Sequence, residues 1–73
     1  MPGRLLCRVK EYRVAAGLTQ QQLADRVDVC RETILHLEAG RYNPSLRLAH
    51  DLAKLFGVPI ERLFEFADGI NSS

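Results

Sequence analysis

Apolar residues in this chain recur at three- and four-residue spacing and nowhere alternate over the length of a strand, so helices are predicted throughout and strands are not. Leu5, Val9, Tyr12 and Ala16 predict a first helix over residues 4–16. A second is predicted over 20–27, with Leu23, Ala24 and Val27 inward. Thr19 opens it, because Thr19-Gln20-Gln21-Gln22 has the T-x-x-Q spacing of a capping box. A third, over 31–39, turns Ile34 and Leu37 inward and ends at Gly40. The fourth, over 45–56, follows Asn43-Pro44-Ser45 and buries Leu46, Ala49, Leu52, Ala53 and Phe56. The fifth, over 59–66, buries Ile60, Leu63 and Phe64. Gly17 and Gly57 are each followed by an apolar residue, the pattern of a left-handed helix stop with its hydrophobic contact. The expected fold class is all-α: a compact five-helix bundle in one domain over residues 4–67, with a flexible tail over 68–73.

The link between the second and third helices carries the most information. Only Asp28-Val29-Cys30 separates them, and Val29 is apolar, so it fills the corner. A link that short forces a sharp crossing, the geometry of a helix-turn-helix, here over about residues 19–39. With Ile34 and Leu37 committed inward, Arg31, Glu32, Leu35 and His36 point outward.

Composition narrows the function classes. The chain has 73 residues, 47% hydrophobic and 26% charged, which fits one globular domain. Nearly every apolar residue is needed for the core, leaving little for a large active site. No Gly-rich phosphate loop and no nucleophile–base arrangement is visible. Apolar runs stop at three residues, too short to span a membrane, and Arg4 and Arg8 bracket the early apolar stretch where a signal peptide would need a longer core. Two cysteines, Cys7 and Cys30, make no disulfide framework and point to a reducing compartment. With His36 and His50 they match no zinc spacing, so neither metal nor cofactor is expected. Net charge is +1, yet residues 1–45 hold seven basic and five acidic groups while residues 46–73 hold three and four. The first part is thus mildly cationic.

The arrangement resembles the Cro and phage-repressor type of helix-turn-helix regulators, in particular their short single-domain bacterial members. The residues that carry the likeness are Arg13, Gly17-Leu18-Thr19-Gln20, Leu23-Ala24, Val29, Arg31, Thr33-Ile34, Leu37-Glu38, Gly40, Asn43-Pro44-Ser45-Leu46, Ala49, Leu52-Ala53, Gly57-Val58 and Leu63-Phe64. The resemblance implies a lambda-repressor-like DNA-binding domain in which the third helix enters the major groove of double-stranded DNA. It implies a transcriptional regulator, a repressor in particular, working in the cytoplasm on the bacterial nucleoid. Base-reading positions then fall on Arg31, Glu32 and His36. Arginine can bond guanine O6 and N7 together, and glutamate can accept from cytosine N4. Gln20 matches a family position that binds phosphate and braces the reading helix. Thr33, Arg41, Tyr42 and Asn43 match positions along the DNA backbone, which orient without reading sequence. Arg13 and Glu38 match an ion pair between the first and third helices.

The sequence departs from the family pattern at three places. Asp28 stands where glycine is usual in the turn, Cys30 where serine or threonine caps the third helix, and Leu35 at an outward position that is usually polar. Leu35 either touches a thymine methyl or covers part of the bundle. Cys30, at a helix start beside Arg31, has two readings: a thiol switch, or simply a small, half-buried side chain. Leu48 and Leu55 lie off the main apolar face of the fourth helix, and with Phe64 and Phe66 on the fifth they form a candidate surface for a homodimer. The alternative to a DNA reader is an antitoxin-like protein-interaction module with secondary DNA binding. It would need a partner-binding face or extension, and the segment after Phe66 is short for one.

Overall fold

A computed structural model describes residues 5–66. Five helices appear in order: α1 (Val9–Ala15), α2 (Gln20–Arg26), α3 (Arg31–Glu38), α4 (Leu46–Phe56) and α5 (Ile60–Leu63). They are joined by a feature the local pattern did not predict. Two three-residue strands, β1 (Leu5–Cys7) and β2 (Phe64–Phe66), pair antiparallel with Leu6 opposite Glu65. The first and last predicted helices are therefore shorter than periodicity implied. Leu5 belongs to β1, and α1 starts only at Val9. At the other end, Phe64 takes extended angles (φ −131°, ψ 136°) directly after α5. The Arg8 N–H donates to the Leu63 carbonyl at 2.8 Å, continuing the pairing where the ladder meets both helices. The tail predicted for 68–73 lies outside the described residues.

Val9, Leu23, Ile34, Leu37, Leu52 and Leu63 are fully buried, so every helix contributes to one core. Tyr12 lays its ring against Phe56, centroids 5.6 Å apart, closing α1 onto α4. Ala16, placed by its spacing on the buried stripe of the first helix, is exposed at the C-cap of α1, as are Val14 and Ala15 before it.

The inward face of α4 keeps Ala49, Leu52 and Ala53 as expected, with Phe56 packed half-buried on the core, and differs in turning Leu48 inward instead of Leu46. Leu48, Ala49, Leu52 and Ala53 are buried, two adjacent pairs four residues apart. Leu46, counted inward from its spacing, is 81% exposed at the first turn. Leu48, offered above as part of a dimer surface, is 4% exposed and belongs to the core. Ser45 fixes where α4 starts, its hydroxyl accepting from the Leu48 N–H at 3.1 Å. Gly57 stops the helix at φ 69°, a left-handed conformation that favours glycine, and Val58 then packs half-buried on the core.

Candidate nucleic-acid interface

The site is built by α2, the turn and α3. Thr19 caps α2 in both directions. Its hydroxyl accepts from the Gln22 N–H at 3.0 Å, and the Gln22 side chain accepts from the Thr19 N–H at 2.8 Å. Leu23 and Ala24 are buried beneath α3, and the small alanine permits close approach. The turn needs a left-handed residue, and Asp28 supplies it at φ 60°. The next N–H, from Val29, donates to the Ala24 carbonyl at 3.0 Å, and the Val29 side chain packs half-buried on the core. Cys30 then occupies the N-cap position of α3 in extended conformation, and its side chain makes no cap bond.

α3 divides cleanly. Ile34 and Leu37 are fully buried, while Arg31, Glu32, Leu35 and His36 are exposed on the opposite side. Leu35 is 41% exposed, so it contributes an apolar spot to that face and is not a core residue. Thr33 is half-buried at the edge, with its hydroxyl 3.2 Å from the Cys30 sulfur. Arg41, Tyr42 and Asn43 are exposed in the segment between α3 and α4. Two guanidinium groups, of Arg31 and Arg41, and the Glu32 carboxylate are exposed on α3 and the segment after it, while Asp25, Arg26 and Asp28 are exposed on α2 and the turn.

Behind the exposed face lies a polar cluster. Arg13 and Glu38 pair in two-pronged fashion. Arg13 Nε donates to Glu38 Oε2 at 2.7 Å, and its NH2 group donates to Oε1 at 3.2 Å. The remaining guanidinium nitrogen donates to the Leu18 carbonyl at 2.9 Å. The two side chains are 11% and 5% exposed, so the pair is nearly enclosed and ties α1 to α3. Gln20, half-buried at the start of α2, joins the same cluster. Its Nε2 donates to Glu38 Oε1 at 3.2 Å, and its Oε1 lies 3.5 Å from an Arg31 guanidinium nitrogen.

The two thiols differ. Cys30 is exposed, and hydrogen bonding from Thr33, first its hydroxyl and then its backbone N–H, lowers its pKa. Burial raises that of Cys7. No group of three or more histidine, cysteine, aspartate or glutamate side chains placed to hold a metal occurs among the described residues. None of the helices there is long and apolar enough to cross a membrane.

The structure brings Gln20, Arg31 and Thr33 around one helix start, with Glu32 and His36 beside them on α3. Of the candidate dimer residues, Leu55 and Phe64 pack half-buried against the core, and the Phe66 side chain lies outside the described residues. A further cation borders this surface. Arg47, in the first turn of α4, is exposed and lines a shallow cleft of about 140 Å³ shared with Asp28 and Val29 of the turn. A cation at a helix start opposes the helix dipole, and here Asp51, one turn along α4, offsets it at 3.7 Å.

Comparison with known proteins agrees with this geometry. The helix-turn-helix family profile matches residues 9–63. An uncharacterized HTH-type transcriptional regulator of Archaeoglobus fulgidus is 54% identical over 61 residues, covering 84% of this chain and 87% of that protein. The cryptic phage CTXphi transcriptional repressor RstR of Vibrio cholerae is 36% identical over 56 residues, covering 77% of this chain and 50% of the repressor. Among solved structures, the restriction-modification controller protein C.AhdI of Aeromonas hydrophila superposes with a TM-score of 0.71 at 33% identity, covering 78% of this chain and 86% of that one.

Proposed function

The chain belongs to the helix-turn-helix family, and from that membership and the geometry of α3 we propose that it regulates transcription by binding double-stranded DNA. Repression is the favoured direction, because two of the similar proteins, RstR and the immunity repressor of Bacillus phage phi105, are named as repressors. The observation that carries the reading is the division of α3. Its apolar side anchors the helix in the core, and its polar side stands clear of the rest of the molecule.

In this reading α3 lies in the major groove. Arg31 bonds a guanine edge, Glu32 selects cytosine by accepting from its N4 amine, and His36 contacts a further base one turn along. Leu35 offers a thymine methyl an apolar partner. Gln20, Thr33, Arg41, Tyr42 and Asn43 hold the sugar-phosphate backbone, with Arg47 added to them. Binding is non-covalent, and the protein performs no chemistry on the DNA.

A single reading helix buries little DNA surface, so the functional unit is a homodimer meeting two half-sites about one helical turn apart. Leu55 and Phe64, only partly covered in the monomer, are the remaining described candidates for its contact surface. The protein works in the cytoplasm, where the DNA is.

Selection of bound fragments from random duplex DNA tests this directly, with affinities then measured across salt concentrations. The expected result is enrichment of a paired site, with affinity falling as salt rises. Failure of any sequence to enrich would overturn the sequence-reading claim.

A further inference from the structure

The enclosed Arg13–Glu38 pair has a neighbour that a purely structural ion pair would not need. Glu38 Oε1 accepts from Arg13 and also from the Gln20 side-chain amide. The other end of that amide meets Arg31. We propose that Glu38 is a positioning residue for DNA recognition, acting through Gln20 to set where the Arg31 guanidinium waits. The inference rests on the reading of Arg31 as a base reader and adds a residue that touches no DNA.

The chemistry leaves the amide one orientation. An ionised glutamate only accepts hydrogen bonds, and an arginine only donates them. A glutamine between the two must turn its NH2 group to Glu38 and its oxygen to Arg31. Reversed, it would set oxygen against carboxylate and NH2 against guanidinium, two repulsive contacts. Glu38 is itself held by two bonds from Arg13, which is fixed in turn by the Leu18 carbonyl. Orientation therefore passes from a nearly enclosed pair, through a half-buried amide, to an exposed side chain. The last contact, 3.5 Å, is the longest in the chain of bonds. It restrains Arg31 in the free protein and is weak enough to give way when a base edge offers two acceptors. Arginine has several freely rotating bonds, and restraining them before binding lowers the ordering cost at the groove.

Glu38→Gln tests the idea because a neutral amide at 38 accepts or donates, so Gln20 is free to reverse. That variant also leaves Arg13 without its carboxylate, so a second is needed in case it folds poorly. Replacing both partners with apolar residues of similar length (Arg13→Met with Glu38→Leu) removes the relay without leaving a buried charge unpaired. Two measurements on the full chain decide the matter. In the free protein, 15N relaxation at Arg31 Nε is expected to show restricted motion in the wild type and faster averaging in both variants. On the selected duplex, discrimination at the base pair read by Arg31 is expected to fall about threefold or more in each variant. In an Arg31→Ala background the same changes should leave discrimination where it was. Arg31 motion unchanged by either variant would overturn the relay, whatever the DNA result. A wild type with no base preference would instead overturn the base-reader reading, and the relaxation data would still decide the relay.

Discussion

Arg13 with Glu38 and Arg8 with Glu65 are two arginine–glutamate pairs in one small domain, placed in contrasting surroundings. The first joins α1 to the helix-turn-helix with side chains 11% and 5% exposed. The second lies across the terminal sheet with side chains 39% and 54% exposed. The exposed pair is the shorter by 0.1 Å, at 2.6 Å against 2.7 Å, so distance alone would rank the two wrongly. Water screens an exposed pair and solvates either partner when the other is removed. In the enclosed pair each charge depends on the other, on the Leu18 carbonyl and on Gln20. An enclosed polar network thus joins the apolar core in fixing the helix-turn-helix, while the terminal sheet rests on one short ladder beside the core.

Removing one partner from each pair separates the two regimes most widely. Glu38→Ala should cost about 3–5 kcal/mol in denaturant unfolding, because a nearly buried guanidinium is left unpaired. Glu65→Ala should leave the unfolding midpoint almost unmoved. Equal losses would mean that the enclosure of the first pair does not matter. Next in size is Arg31→Ala, which leaves both pairs intact. It should weaken binding to the selected duplex by about 1–3 kcal/mol and relax preference at one base pair, as read by competition against single-base variants.

Asp28→Gly sharpens the comparison within the helix-turn-helix itself. Relief of a left-handed aspartate, offset by the greater freedom of glycine when unfolded, should raise stability by a few tenths to about 1 kcal/mol. A lower melting temperature would contradict the turn assignment. The smallest effect distinguishes the thiols. Cys30 should alkylate before Cys7 at any pH below the ordinary thiol pKa of about 8.5, since Thr33 lowers one and burial raises the other. The native state holds the Cys7 proton longer than the unfolded chain does. The stability it contributes is thus complete below the ordinary thiol range and lost as pH rises through it. Cys7→Ala should flatten that alkaline decline, and an unchanged pH profile would refute the assignment.

What the sequence disclosed follows the range of the forces involved. The α2 cap and the Val29 corner are made by residues within five positions of each other, so their spacing was enough. The pairing of Leu6 with Glu65 spans nearly the whole chain and involves strands of three residues, too short to show alternation. The α4 face departs from its spacing at one position only, for a different reason. Leu46 and Leu48 are equally apolar, and only the tertiary packing decides which one turns inward. In the site, the outward set on α3 followed from burying Ile34 and Leu37. The bond from Gln20 to Glu38 did not, because two polar residues eighteen positions apart carry no local mark of their meeting.

The measurement that tests the account most directly is an NMR titration of the 15N-labelled protein with its selected duplex, following backbone and side-chain amides together. Large shifts are expected at Gln20, at Arg31 to His36 and at Arg41 to Asn43, larger than at any amide of β1. Shifts confined to the terminal sheet, with the exposed side of α3 silent, would contradict it.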